Sequence, residues 1–206
     1  MNALNNPEIP MTWLMLRTTG IVAIALLTIS TVVGIVSPVL RSPRRRLVAI
    51  SIHGTAAATG TLLLLGHIVL AVLDSYVHIS PLATVVPGVS AWEPLWIGVG
   101  TVSFDLLILL LVTTLNRFRA PRTWKAVHLV SYALLPLAWV HALAIGSDAA
   151  DLPMRVTALL GLAAVAGAFV FRQSRRPTSP PAENPAGTPA PLSAPTPVDV
   201  NVKEYA

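Results

Sequence analysis

Five long apolar runs are the feature of this 206-residue chain that most limits its fold. They cover residues 12–38, 47–73, 95–116, 126–146 and 153–172. Each is close to the length of roughly 20 residues that a helix needs to cross the hydrocarbon core of a membrane. The sequence therefore predicts an all-α integral membrane bundle of about five transmembrane helices.

The composition supports a membrane protein. Hydrophobic residues make up 54% of the chain, charged residues only 11%, and the mean hydropathy is +0.70. A soluble domain carries about a quarter charged residues. Cysteine is absent, which excludes disulfides, thiolate metal sites and a cysteine nucleophile, so any metal has His, Met or carboxylate ligands. The net charge of +5 comes from clusters between the apolar runs, which is typical of a topology signal and not of a nucleic-acid surface.

The basic clusters predict the orientation in the membrane. They lie in three connecting or flanking segments, at 41–46, 116–125 and 172–176. Under the positive-inside rule these face the cytoplasm, which places the N-terminus outside and the C-terminus inside the cell. High Ala, Pro and Arg content indicates a bacterial source, and we expect a multi-pass protein of the inner (plasma) membrane.

The apolar runs also divide the chain. We expect residues 1–11 to be a short exterior segment and residues 12–172 to form one transmembrane domain. The first run is too long for a secretory signal peptide and lacks a basic start, so it should be retained. Residues 173–206 are rich in Pro, Ala, Ser and Thr, which predicts a disordered cytoplasmic tail.

Four histidines lie inside two of the predicted spans. His53 and His67 are fourteen residues apart on the second run, a rise of about 21 Å with an angular offset of about 40° on a helix. His128 and His141 lie on the fourth run, which crosses in the same direction. His53 and His128 should therefore share the inner level, and His67 and His141 the outer level.

Two histidines at one depth are suited to axial ligation of a haem iron, one on each face of the macrocycle. Two such pairs predict two haems roughly 20 Å apart, which would form an electron path across the bilayer. The alternative is that these rings hydrogen-bond to one another or to hydroxyls such as those of Thr55, Ser131 and Tyr132.

One pair does not fit an ideal helix. A separation of thirteen residues leaves the side chains of His128 and His141 about 140° apart at 3.6 residues per turn. Pro136 lies between them and frees a backbone carbonyl, which permits a kink and a local change of winding.

Three further polar residues are candidates. Arg17 in the first run would either neutralise a haem propionate or extend to the membrane interface. Asp105 lies deep in the third run, as a proton-relay group or as a silent protonated acid. His78 lies beyond the second run and is predicted to be a surface residue.

The chain resembles the ferric reductase-like transmembrane domain family, which includes the membrane part of NADPH oxidases and the haem-binding subunit of a periplasmic methionine sulfoxide reductase. The similar elements are RTTGIVAIALLT at 17–28, the His53 and His67 pair, LWIGVGTVSFDLLILLLVTT at 95–114, and WKAVHLVSYALLPLAWVHALAIGSD at 124–148. Together they cover residues 12 to about 172.

The resemblance implies two b-type haems (heme b) held by His53, His67, His128 and His141, and an electron-transfer role as the membrane subunit of an oxidoreductase. Fused family members continue into flavin- and nicotinamide-binding domains, whereas this sequence continues into the Pro-rich tail. The expected redox partner is therefore a separate flavoprotein carrying FMN or FAD, or a membrane quinol. Whether ferric iron is a substrate stays open at this point.

Two other function classes compete with the redox interpretation. One is a membrane scaffold or assembly factor whose proline-rich tail recruits partners, and it predicts a colourless protein. The other is a proton-coupled transporter that uses Asp105 and the histidines as relays, although the sequence has no internal repeat of the kind that transporters often show.

Overall fold

The computed structural model describes residues 11–74, 79–146 and 151–175. Every regular element in these ranges is helical, and five spans are long and apolar enough to cross a membrane, which confirms the predicted all-α multi-pass membrane bundle. The chain divides into the units Met1–Arg176 and Pro177–Ala206. The predictions for the N-terminal segment before residue 11, for His78 and for the tail beyond residue 175 concern positions outside the described residues.

The described ranges contain six α-helices. They are α1 (Met11–Val36), α2 (Pro43–Leu73), α3 (Pro94–Leu115), α4 (Pro121–His128), α5 (Ser131–Ile145) and α6 (Leu152–Ser174). A short 3₁₀ turn follows α1 at Ser37–Val39, and another precedes α3 at Pro81–Thr84. Proline is the first residue of α2, α3 and α4, where its fixed φ suits a helix and its missing N–H costs no hydrogen bond.

The main difference from the predicted spans lies in the fourth. The apolar run at 126–146 was expected to form one helix, but the structure divides this span into α4 and α5 and starts it at Pro121. The second span likewise begins at Pro43 instead of residue 47. Both extensions contain basic residues, which hydropathy leaves out but which continue a helix readily at a membrane interface.

Helix α1 is central in the bundle. It packs against α2, α5 and α6, and α3 packs against α4 and α5. A buried apolar cluster joins α1, α5 and α6 and consists of Ile24, Leu27, Leu135, Trp139 and Ala158. Helices α2 and α5 do not pack closely against each other. The space that this leaves between them contains the site described below.

The bundle has two ends, which we name after their histidines. Helices α1 and α3 begin at the His67 end, and α2 and α4 begin at the His53 end. Residues 79–93 lie at the His67 end and are fixed to α3, because the Thr101 hydroxyl donates a hydrogen bond of 2.7 Å to the carbonyl of Ala83. Gly88 has a φ of 82°, and its nitrogen would lie 3.0 Å from a Cβ placed on Gly98. A side chain at either position would disturb this contact.

Large apolar side chains cover the outside of the bundle. Leu62 of α2, Leu115 of α3 and Leu160 of α6 are 69%, 71% and 65% exposed. Helices that are apolar on their outer faces as well as in the core are suited to a lipid environment. The exposed side chains thus agree with the lengths of the five spans.

Candidate functional site

His67 and His141 line one cavity. It has a volume of about 380 Å³ and is lined by residues of α1, α2, α3, α5 and α6 and of the segment 79–92. Its walls are largely apolar, with Phe104, Leu134 and Ile24 among the side chains that line it. The volume falls within the roughly 300–1,000 Å³ typical of small-molecule and cofactor pockets. The structure thus brings together the two histidines that the sequence placed at the outer level.

Both rings are oriented by main-chain carbonyls. His67 Nδ1 lies 2.8 Å from the carbonyl oxygen of Leu16, and His141 Nδ1 lies 2.8 Å from that of Trp96. A carbonyl oxygen can only accept a hydrogen bond, so in each ring Nδ1 carries the proton. Nε2 is then the ring nitrogen with a free lone pair. This is the tautomer that an Nε2 metal ligand requires.

His53 and His128 form the second pair. Their ring centroids are 6.2 Å apart, with the ring planes inclined at 74°. His53 Nδ1 lies 2.9 Å from the carbonyl oxygen of Ser30 and 2.9 Å from its hydroxyl, which itself donates to the carbonyl of His53 at 3.0 Å. His53 is therefore also fixed with Nε2 directed away from α1.

His128 is different from the other three histidines. Its Nδ1 is buried and has no hydrogen-bond partner within the described ranges, and the same holds for the indole Nε1 of Trp124. The two rings lie next to each other, with centroids 5.3 Å apart. Two of the hydroxyls suggested as partners from sequence bond to other groups: Ser131 donates to the His128 carbonyl at 2.7 Å, and Tyr132 accepts from Arg172 at 3.3 Å.

The chain between His128 and His141 is overwound, which accounts for the poor fit to an ideal helix. Leu129 and Val130 separate α4 from α5 and have φ/ψ of −68°/−23° and −64°/−23°, close to 3₁₀ values. Four backbone N–H groups in this region, those of residues 129, 130, 132 and 133, bond to the carbonyl three residues earlier. A 3₁₀ segment turns about 120° per residue instead of about 100°.

This overwinding begins before Pro136, the residue at which the sequence predicted a change of winding. Four to five residues in 3₁₀ geometry add about 80–100° of rotation, which reduces the expected separation of about 140° to about 40–60°. His128 and His141 therefore face similar directions, as His53 and His67 do. Pro136 itself lies inside α5, which continues through it.

Charged residues are present at the His67 end of the cavity. Arg17 lines the cavity and lies over the ring of Trp13, with its guanidinium carbon 4.2 Å from the ring centroid. Asp74 also lines it; this residue is 4% exposed, and its Oδ2 has no hydrogen-bond partner among the described residues. No pattern in the sequence indicates a role for Asp74, because the residue simply follows an apolar run. Asp105 is half-buried on α3 and does not line this cavity.

The described residues contain no group of three or more His, Cys, Asp or Glu side chains arranged to hold a metal ion. A bare zinc-type site with three or four protein ligands is thus not found in this part of the chain. The histidines occur as two pairs. Comparisons with protein-family models, with curated proteins and with solved structures found no match to this chain.

Proposed function

We propose that this protein carries electrons across a membrane through two b-type haems, one ligated by His67 and His141 and the other by His53 and His128. One observation carries the proposal: two histidines from helices that do not pack together line a single apolar cavity of about 380 Å³, and each has its Nδ1 proton bound to a main-chain carbonyl. This leaves two Nε2 lone pairs available to a ligand between α2 and α5.

A haem suits paired histidines better than a bare ion does. The macrocycle supplies four equatorial nitrogens, so the protein needs to provide only the two axial ligands. Metal-ligating histidines almost always donate their other N–H to a carbonyl or carboxylate, as His67, His141 and His53 do to main-chain carbonyls. The apolar lining of the cavity is also the environment that a porphyrin face needs.

The spacing of the other pair supports the same assignment. Two metal–nitrogen bonds of about 2 Å and two imidazole radii of about 1 Å would place the ring centroids of two axial ligands about 6 Å apart. The centroids of His53 and His128 are 6.2 Å apart. We infer that these two rings are spaced for one iron.

A bis-histidine haem supplies reversible one-electron chemistry without an open iron position. The residues of this chain then have limited tasks. The four histidines hold and orient the cofactor, and the apolar walls exclude water. Arg17 offers a positive charge to a propionate at the His67 end.

The orientation and partners follow from the same proposal. The basic segments at 41–46, 116–125 and 172–175 adjoin the His53 end of the helices, so this end is assigned to the cytoplasm and the His67 end to the exterior of the inner membrane. We propose a separate flavoprotein with FMN or FAD, or a membrane quinol, as the redox partner. The chain would act as the membrane subunit of a ferric reductase-like oxidoreductase.

The test is a reduced-minus-oxidised absorption spectrum of the detergent-purified protein, with haem counted by the pyridine haemochrome assay. The expected result is a b-type spectrum with about two haems per chain. The variant H67A should lose one haem and keep the other, whereas H78A, which replaces the histidine that the sequence predicts to be a surface residue, should keep both. A colourless protein from cells with ample haem would refute the proposal and favour the scaffold or transporter alternatives.

A further inference from the structure

Three histidines reach the neighbouring helix by the same arrangement. In each case Nδ1 bonds to a main-chain carbonyl, and the residue four positions after that carbonyl is a glycine. The pairs are Leu16 and Gly20 for His67, Ser30 and Gly34 for His53, and Trp96 and Gly100 for His141. The arrangement therefore occurs on two helices, α1 and α3, and at both ends of the bundle.

The helix geometry explains why a glycine is needed at this position. In an α-helix the Cα–Cβ bond tilts toward the N-terminus, so a side chain covers the turn before its own Cα. The side chain at position i+4 thus shields the carbonyl of residue i, which already bonds to the N–H of residue i+4. Without a Cβ at i+4, a side chain from another helix can approach the second lone pair of that oxygen.

The distances show that the contact is tight. A Cβ placed on Gly20 would lie 2.8 Å from His67 Nδ1, one on Gly34 would lie 3.0 Å from His53 Nδ1, and one on Gly100 would lie 2.6 Å from His141 Nδ1. In each case the atom that the Cβ would meet is the nitrogen that makes the hydrogen bond. An alanine would therefore displace the ring from its acceptor.

Glycines on α2 and α6 include positions with no such contact. A Cβ on Gly54, Gly66 or Gly167 would meet no atom within 4 Å. Gly20 and Gly34 are fourteen residues apart on α1, as His53 and His67 are on the antiparallel helix α2. The corresponding position on α3, fourteen residues after Gly100, is Thr114.

The presence of Thr114 in place of a glycine on α3 agrees with the lack of a hydrogen-bond acceptor for His128. Its Nδ1 is the one histidine Nδ1 among the four that has no acceptor in the described residues. In the pair His67 and His141, both rings bond through Nδ1 to main-chain carbonyls. In the pair His53 and His128, only the His53 ring has such a bond among the described residues.

We propose that Gly20, Gly34 and Gly100 are positioning residues that fix the ligand tautomer of three of the four histidines, and that His128 is the one unanchored ligand. The consequence for haem rests on the proposed function, but the consequence for the tautomers does not. Anchoring by a backbone acceptor strengthens a histidine as a metal ligand, and its loss typically weakens metal binding about 10- to 100-fold.

The first experiment compares the full-length variants G20A, G34A and G100A with the controls G54A and G66A. Haem content and the low-spin ferric EPR signal of each centre are measured. G20A and G100A should weaken haem retention by the His67 and His141 pair about 10- to 100-fold and leave the second signal in place. G34A should affect the second centre only, and the controls should match wild type. Equal behaviour of all five variants would overturn the proposal.

A second measurement does not depend on haem or on the folding of a variant. Histidine ¹⁵N NMR of the haem-free wild-type protein in detergent distinguishes an Nδ1–H ring from an Nε2–H ring. The expected result for the wild-type protein is Nδ1–H for His53, His67 and His141. An Nε2–H tautomer for His67 or His141 would overturn the inference. A colourless protein with the expected tautomers would refute the haem function and leave the inference standing.

Discussion

Deletion of Leu129 should affect one of the two proposed haem sites and leave the other intact. The residue lies between α4 and α5 and is 63% exposed, so its removal costs little packing. It lies in the overwound segment that brings His128 and His141 to within about 40–60° of each other. Removing one residue turns α4 back by about 100–120° and shortens the span by about 1.5–2 Å. The angle between the two histidines then rises to about 140–180°.

The ring that moves should be His128. His141 is held by the carbonyl of Trp96, and its helix is fixed in the core by Trp139, which is 2% exposed. Among the described residues, the His128 ring packs against the rings of Trp124 and His53, and its Nδ1 has no hydrogen-bond partner. The deletion should therefore abolish the haem of His53 and His128 and preserve that of His67 and His141.

The assay is the haem-to-protein ratio together with a potentiometric titration, in which two components should become one. Deletion of Phe118 is the matched control, because this residue is 83% exposed in the turn between α3 and α4 and its loss leaves the spacing of the two histidines unchanged. If the Leu129 deletion kept both redox components at wild-type potentials, the winding argument would be wrong.

Three further predictions use other parts of the chain. The Trp139 indole donates to the Thr28 hydroxyl at 3.3 Å, so W139F and T28V should each reduce the free energy of unfolding, and a double-mutant cycle should give a coupling energy of about 0.6–1.7 kcal/mol between them; fully additive losses would contradict this contact. R17Q should lower the midpoint potential of the proposed haem at the His67 end and leave that of the proposed haem at the His53 end unchanged, because a positive charge favours the reduced haem. If a redox titration showed an equal shift of the two potentials, the assignment of Arg17 to the haem at the His67 end would be wrong. Truncation after Arg176, the boundary of the helical unit, should change neither haem content nor the melting temperature, and a loss of either would mean that the tail contributes to the bundle.

Much of the fold could be predicted because membrane helices are specified locally. A run such as 47–73 must form hydrogen bonds within itself in lipid, so length and hydropathy are sufficient to identify it. The fourth span was less predictable. Hydropathy does not distinguish a regular helix from one with a 3₁₀ segment at Leu129 and Val130, because both are equally apolar.

The site was predicted in part. Periodicity placed His53 and His67 on one face of α2, and helix direction assigned their partners. The acceptors of the ring N–H groups could not be predicted, because they are main-chain carbonyls of Leu16, Ser30 and Trp96, which every residue type has. Asp74 was overlooked because burial of a residue at a helix end depends on the segment that packs over it.

The sequence by itself determined the number of spans, their apolar character and the two levels of histidines, since each depends on a repeat along one helix. The tertiary structure decided which way the rings point. That choice depends on contacts between helices: a glycine such as Gly20 that exposes a carbonyl, a cavity between α2 and α5, and an overwound segment that turns His128 toward His53. These features arise only when the helices pack, because no single helix contains both the ring and its acceptor.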